Sequence, residues 1–585
     1  MTLKLNSILQ SAALILTVSQ LGAACSRAET ELNIGRRNSD PASVIKKLET
    51  DPTKIATGQV LSQIPRSKGT ILPQCTVSTA PGGPRLWRLS ATQWKNSYFA
   101  LGVTADVSGL APDSRAGRYD SSPAGFTFGQ QNSIFFQSKA DEYAPQVVKF
   151  ISQDVPCAKT DINSLSTKVC QDKFVSVAIE RIFRRPASTD EKTRFGTLFE
   201  SLIALEKPQE GANDLVAMLL KSPHFLIRVF APELDGSNTK SLLPYAVASH
   251  ISFGLTDFPP DKELMAAAAT ADFLTAGQLD NHSRRLIKTT AGEDKFVSFS
   301  KQWLRVNVKP GNEPQRDIKL FPDYSAQIFK DMTLETETFL RNEILAKNSS
   351  IRSVFSSGSS TVTGRLEAYY KKMPPSNVET PKQDVDFSDA GRFGILTHGS
   401  VLTNLSSSTS THVIHRANLI RSHFLCSPIS GPPADALLQD MQGKKVLANA
   451  TERMKFEEFV NSARADCAAC HKTFVPFGLA LENYDADGRF RTMSNGLKID
   501  SSGVISSPSG DLVSFESGQS FLKQISEWNT TAQCTLMHSL EFHWGDARAA
   551  MSCPTETVGK TLTVDTPFLD VYLAPLTNPQ FYQAW

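Results

Sequence analysis

From Arg85 onward the apolar positions recur mostly three and four residues apart, the spacing that puts them on one face of an α-helix. Gln93, Trp94, Tyr98 and Leu101 follow Ser90, a good N-cap, and predict a first amphipathic helix. Phe174, Ala178, Ile179, Ile182 and Phe183 predict another, ending at Arg184-Arg185-Pro186, and Ser188 with Glu191 forms a capping box that opens the next. Residues 212–229 continue the pattern. So do 245–254, 261–271, 275–289, 295–306 and 331–345, then 455–464 and 521–550, where Leu536, Met537, Leu540 and Trp544 hold core spacing. Residues 349–363 and 374–389, rich in Ser, Pro and polar side chains, read as loops, and 499–515 shows short apolar alternations suited to small strands or turns. The expected fold class is mainly α, a multi-domain helical protein with a few short strands.

The residues before Arg85 read differently. Lys4, an apolar stretch from about Ala12 to Val18 and small residues up to Cys25 make residues 1–25 an expected export signal. Leu21-Gly22-Ala23-Ala24-Cys25 resembles a bacterial lipobox, with Gly22 where a large apolar residue is usual. Lipidation of Cys25 therefore stands beside ordinary cleavage near Ala24 or Ala28. Residues 26–75 are polar, mixed in charge and poor in aromatics, as in a linker. No later run reaches the roughly 18 apolar residues a membrane-spanning helix needs, so a lipid on Cys25 is the expected membrane attachment, and the expected location is the periplasm or cell envelope.

Composition adds limits. A chain of 585 residues, 40% hydrophobic, can bury several cores, and we divide it into helical modules at 76–155, 156–232, 233–390 and 516–585, with a module at 391–515 set apart by the CxxCH motif it contains. Sixty-one basic against fifty-nine acidic residues leave a net charge of +2, and no long basic run carries interleaved aromatics, so nucleic acid is not an expected partner. With Cys25, Cys467 and Cys470 set aside, six cysteines remain, an even number that an exported chain can bridge. Spacing leaves the pairing open. The expected set is Cys157 with Cys170, Cys534 with Cys553, and therefore Cys75 with Cys426.

One stretch carries a complete chemical instruction. Cys467-Ala468-Ala469-Cys470-His471 is the attachment pattern of c-type haem, and on a helix its three reactive side chains lie at i, i+3 and i+4, on one face. The thiols can bond the haem vinyls while His471 takes the iron as axial ligand. A thioredoxin-like pair would need a strand before it, whereas 455–464 is helical; a structural zinc site would need a second close Cys or His pair, and none follows.

The run from Cys467 to Arg491, CAACHKTFVPFGLALENYDADGRFR, resembles the haem-motif module of the planctomycete-type cytochrome-associated multidomain proteins, secreted chains of consecutive domains of unknown function. The shared features are CxxCH, Pro476-Phe477-Gly478, Leu481-Glu482 and Asp485 to Gly488. Weaker traces are Ala124-Gly125-Phe126, Arg-Arg-Pro with Ser222-Pro223-His224-Phe225-Leu226, Gln302-Trp303-Leu304, Gly391 to His398, Arg416 to Ile420 and the helical tail. The resemblance implies a c-type cytochrome-like module on a helical body. Asn483, Asp485, Asp487 and Gly488 also suggest a calcium loop, but the place that needs a carboxylate holds Ser494.

His398, His412, His415 and His423 cluster before the haem run, with a spacing that matches no zinc template, and His250 and His282 lie within helical patterns where packed or surface roles are usual. Met493, Met537 and Met551 are sixth-ligand candidates, with Met493 favoured because it follows the haem run on a turn-rich segment and His398 as the competitor. The familiar hydrolase, kinase and dehydrogenase motifs are absent. The expected function is a monohaem c-type cytochrome-like protein, one haem c, in electron transfer or haem-dependent redox chemistry at the envelope, with a redox partner or small-molecule substrate left open. The alternative is a non-enzymatic envelope protein with structural haem that binds a partner or glycan.

Overall fold

The computed structural model describes residues 71–75, 86–113, 117–121, 128–229, 242–309, 311–429, 449–462, 465–545 and 551–583. The expected export signal, Cys25 and most of the linker lie outside them.

A short strand β1 (Leu86–Arg88) leads into α1 (Ala91–Phe99), whose capping box pairs Ser90 with Gln93. The long α2 (Gln130–Ser152), not predicted from the sequence, carries Pro145 inside it. α3 (Lys168–Phe183) ends at Arg184, which takes the left-handed conformation at φ 60°, and α4 (Thr189–Leu205) opens on the expected Ser188/Glu191 box. α5 (Pro208–Lys221) starts on proline, and here the expectation of a helix to residue 229 is corrected. Ser222 precedes Pro223, which disfavours helical backbone at Ser222. A single turn Pro223–Leu226 follows, and then β2 (Ile227–Val229) pairs antiparallel with β1.

The central stretch holds α6 (Leu243–Thr256), α7 (Lys262–Ala268), α8 (Ala276–Ile287), α9 (Thr290–Trp303) and α10 (Ala326–Phe339), the last widening into a π-turn Leu340–Ala346. The two expected loops are not loops throughout. Ser350 caps a short α11 (Ile351–Ser356), and β3 (Ser359–Thr363) pairs across α12 (Gly364–Tyr370) with β4 (Pro381–Asp386). Thr361-Val362-Thr363 is β-branched, and Pro381 sits at a strand end where its missing N–H costs nothing.

α13 (Gly399–Asn404) and α14 (Val413–Leu419), which continues as a π-turn Ile420–Phe424, precede the antiparallel pair α15 (Glu452–Ser462) and α16 (Ala465–Leu479). Two small hairpins follow, β5 (Met493–Ser494) with β6 (Leu497–Lys498), and β7 (Gly503–Ser506) with β8 (Leu512–Phe515), where strands or turns were expected. The expected helix over 521–550 is two, α17 (Gly518–Ser526) and α18 (Asn529–Trp544), and α19 (Ser552–Thr561), α20 (Phe568–Thr577) and α21 (Pro579–Gln583) complete the chain. No helix among the described residues is long and apolar enough to cross a membrane. The fold is mainly α.

The buried side chains gather in three clusters. One joins α1 to α5, from Leu89 to Phe225 with Phe253. A larger one draws on α6 through α21 around Trp303, Phe477, Trp544 and Tyr572. A small one packs α10 against β3 and α12. Cys157–Cys170 forms as expected, but the other two pairings are corrected: Cys75 bonds Cys553, and Cys426 bonds Cys534. Cys534 lies fully buried on α18 facing the end of the π-turn where Cys426 sits, so tertiary packing, not closeness in sequence, selects its partner.

Candidate haem-attachment helix

α16 carries the Cys-x-x-Cys-His run in its first half. The side chain of Cys467 lies outside the described residues. Cys470 is an exposed free thiol, and the partly buried His471 ring lies between Phe459 of α15 (4.6 Å) and Phe474 of its own helix (4.9 Å). Those rings limit how the imidazole can turn.

α14 runs antiparallel along α16. A Cβ on Gly478 would lie 1.9 Å from Val413 O, so the Gly in Pro476-Phe477-Gly478 is what lets the two backbones touch. At the other end Arg421, on the π-turn, is close enough to Cys470 for their charges to interact. Its guanidinium stacks on Phe477 (5.8 Å) and donates to Ser427 Oγ (2.8 Å). Burial holds Arg421 below the usual arginine range, and the nearby thiol opposes that.

The end of α16 is held from behind. Arg416, fully buried on α14, donates to the carbonyls of Leu481 (2.8 Å), Tyr484 (2.7 Å) and Asp485 (3.2 Å), with Glu482 Oε1 at 3.7 Å. The orphan carbonyls past a helix C-terminus thus find a cation. Thr411 Oγ1 and Arg491 donate to Glu482 Oε2 at 3.0 and 3.3 Å. Burial nonetheless raises Glu482, against the pull of Arg416 and Arg491.

The acidic turn that suggested calcium is part of this clamp. Arg491 pairs with Asp485 (2.8 Å), Arg489 and Tyr369 donate to Asp487 (2.7 and 3.0 Å), and Arg316 and Arg392 donate to the carbonyls of Ala486 (2.7 Å) and Gly488 (2.6 Å). These carboxylates hold guanidiniums, and the turn welds α16 to α10, α12 and α13.

The histidines scatter. His398 is buried against Phe339 (4.8 Å), with Thr336 Oγ1 3.0 Å from its Nδ1, and burial lowers its pKa. His412 and His415 stack (3.5 Å) at the start of α14, the Gly478 end of α16. His423 Nδ1 meets Trp303 O at 2.6 Å, and its ring stacks on His538. His538 is a residue the sequence did not single out: its ligand atom and the sulfurs of Cys426 and Cys534 lie within 4.8 Å of one another, but those sulfurs are joined as a disulfide.

Met493 opens the β5–β6 hairpin, 49% exposed. Asn495 Nδ2 fastens that hairpin to Ala450 O (3.1 Å), just before α15.

Three family models match in sequence order. PSD5, a protein of unknown function (DUF1595), matches residues 170–229, PSD4 (DUF1592) matches 242–371, and PSCyt3 (DUF1588) matches 392–494. The chain has the architecture of the planctomycete-type cytochrome-associated multidomain proteins. All three matched domains are of unknown function. In this cytochrome-associated architecture the PSCyt3 match spans α14, α15 and α16, and so takes in Cys467, Cys470 and His471 together with the Arg416 clamp. No curated protein and no solved structure matches the chain.

Proposed function

We propose that this protein is an exported monohaem c-type cytochrome-like protein that moves electrons at the cell envelope. The observation that carries the reading is the Cys-x-x-Cys-His run within one helix, with Cys470 exposed and His471 held between two aromatic rings. The fit extends beyond the ligands. A ring attached at Cys470 would lie near the positive charge of Arg421, and the Arg416 clamp keeps α16 from shifting beneath it. When bound, haem supplies a one-electron couple whose potential answers to its axial ligands and burial. The chain's own residues hold the imidazole, fix the helix and supply the cation. Lipid attachment at Cys25 is part of the same proposal, and accumulation of the precursor under globomycin, with release of Cys25→Ser from membranes, checks it.

The test of haem is direct. Made with a periplasmic c-type maturation system, the protein should stay red after acid-acetone extraction and denaturing electrophoresis, and Cys467→Ala with Cys470→Ala should leave it colourless. A colourless wild type sinks the proposal. Met493, half exposed on the hairpin that follows the haem run, is the favoured sixth ligand, so Met493→Ala is expected to convert the ferric protein to high spin. An unchanged ferric spectrum would instead remove Met493 as the sixth ligand. A wild type already high spin that turns over peroxide would favour an enzymatic haem over simple electron transfer.

A further inference from the structure

A cleft of about 510 Å³ opens where α1, α3, α6 and α7 meet, lined from one side by Leu101, Arg181 and Arg184 and from the other by Tyr245, Pro259 and Met265. No residue of α13 to α21 lines it, so a ligand held there is independent of the haem reading.

The chemistry of the cleft turns on Arg184. This residue is only 6% exposed, and its guanidinium donates to the carbonyls of His224 (2.8 Å), Phe225 (3.1 Å), Ile182 (3.3 Å) and Ile227 (3.5 Å). Those acceptors are neutral, and among the described residues no carboxylate lies within ion-pair distance of it. Arg185 next door is matched by Glu191 at 2.7 Å. On the cleft wall Arg181 and Lys262 share Asp154, and Glu180 offsets one more charge. Three cations thus face two carboxylates, and the unmatched charge is the buried one. Burial, reinforced by Arg228 and Arg185, lowers Arg184 to about 9, the mark of a cation short of a counter-charge.

We infer that this cleft binds a small organic monoanion, a carboxylate on an apolar body, with the carboxylate at Arg184 and the body against Leu101, Phe225 and Met265. A guanidinium whose acceptors are all neutral carbonyls attracts a carboxylate by its charge, and the volume is that of an ordinary small-molecule site. Asp154 and Glu180 repel a second negative charge, which favours a monoanion over phosphate or sulfate. Tyr245 adds a neutral donor, because burial and then Glu180 raise its hydroxyl.

The test is calorimetric titration of the full chain with 3-phenylpropionate, 3-phenylpropionamide and sulfate at low ionic strength. The carboxylate should bind, and the amide about tenfold more weakly or not at all, since the difference is one charge-assisted contact. Arg184→Met removes the counter-charge but also the carbonyl contacts, so a second variant is needed. Ala266→Trp fills the cleft from an exposed position; it should abolish binding and leave the unfolding midpoint unchanged. Equal binding of acid and amide, binding of sulfate in preference to the acid, undiminished binding by Ala266→Trp, or no heat from any probe at millimolar concentration would each overturn the inference.

Discussion

Arg416 shows how much one side chain contributes here. Fully buried, its guanidinium serves three carbonyls beyond the end of α16, and burial lowers it to about 10 despite the nearby Glu482. Removing it strands those carbonyls and leaves Glu482 with less compensation, so Arg416→Met should cost about 3–5 kcal/mol in denaturant unfolding. Arg416→Lys should recover little of the loss, because an ammonium cannot present the planar fork that reaches carbonyls on different residues. A loss under about 1 kcal/mol would mean the clamp is incidental. The residues of the candidate site differ in how readable they were. Cys467, Cys470 and His471 announce themselves because the chemistry needs all three within one helical turn. Arg416 does not, since its partners are backbone carbonyls, which every sequence has. The partners of Asp485 and Asp487 were hidden for a related reason: Ser494 argued against calcium, but a carboxylate looks the same in sequence whether it faces solvent or holds Arg491 and Arg489.

Among elements, the contact of α14 with α16 sets where the candidate site sits, and it depends on a missing methyl group. With a Cβ at 478 lying 1.9 Å from Val413 O and 2.7 Å from its carbonyl carbon, Gly478→Ala must push the helices apart or bend one of them. Overpacking of this kind costs about 1–3 kcal/mol. The variant should lose that much stability in urea and, under the same maturation system, carry less covalent haem per chain; wild-type stability would show that α14 gives way freely. The helices were legible because each buries one continuous stripe, and the Ser90 N-cap and the Ser188 capping box formed as the residues predicted. The β3–β4 pair was not, because its strands are separated by α12 and neither alternates cleanly: all of β3 past Ser359 is buried, so no polar face gives the period away. α2 was missed as well. Its buried positions span many turns and include Asn132 and Ser152, and Pro145 interrupts the pattern.

At the scale of the whole molecule, the disulfides and the buried histidines tie distant parts of the chain into one unfolding unit. Cys75–Cys553 closes a separation of 478 residues and Cys426–Cys534 one of 108, against 13 for Cys157–Cys170. Pairing at such distances is decided by the packing of α18 and α19, which spacing alone does not encode. Loop-closure entropy grows with separation, so Cys75→Ser with Cys553→Ser should destabilise by about 2–5 kcal/mol and Cys157→Ser with Cys170→Ser by less, as guanidinium unfolding of the oxidised proteins would show. Acid sensitivity comes from the histidines. Burial lowers His423 to about 3, with Arg118 adding to the effect, and burial lowers His543 to about 3, helped by Lys295 and Arg228. Both start from an ordinary value of 6.5 in the unfolded chain. Above pH 6.5 neither state binds these protons, and they give stability no pH dependence. Between 6.5 and about 3 the unfolded chain takes up protons that the folded one refuses, so stability falls as pH falls, by about 1.4 kcal/mol per pH unit for each histidine. Urea midpoints measured from pH 7 down to pH 5 should therefore drop steeply below about 6.5, before most carboxylates titrate. His543→Phe should reduce that slope by about 1.4 kcal/mol per pH unit while leaving the pH 7 plateau comparatively little changed, since Phe542, Tyr572 and Gly254 already give the ring an apolar, aromatic setting. An unchanged slope in that variant would mean that His543 takes its proton without unfolding, and that the helix α18 on which it stands opens to water as an element rather than with the whole chain.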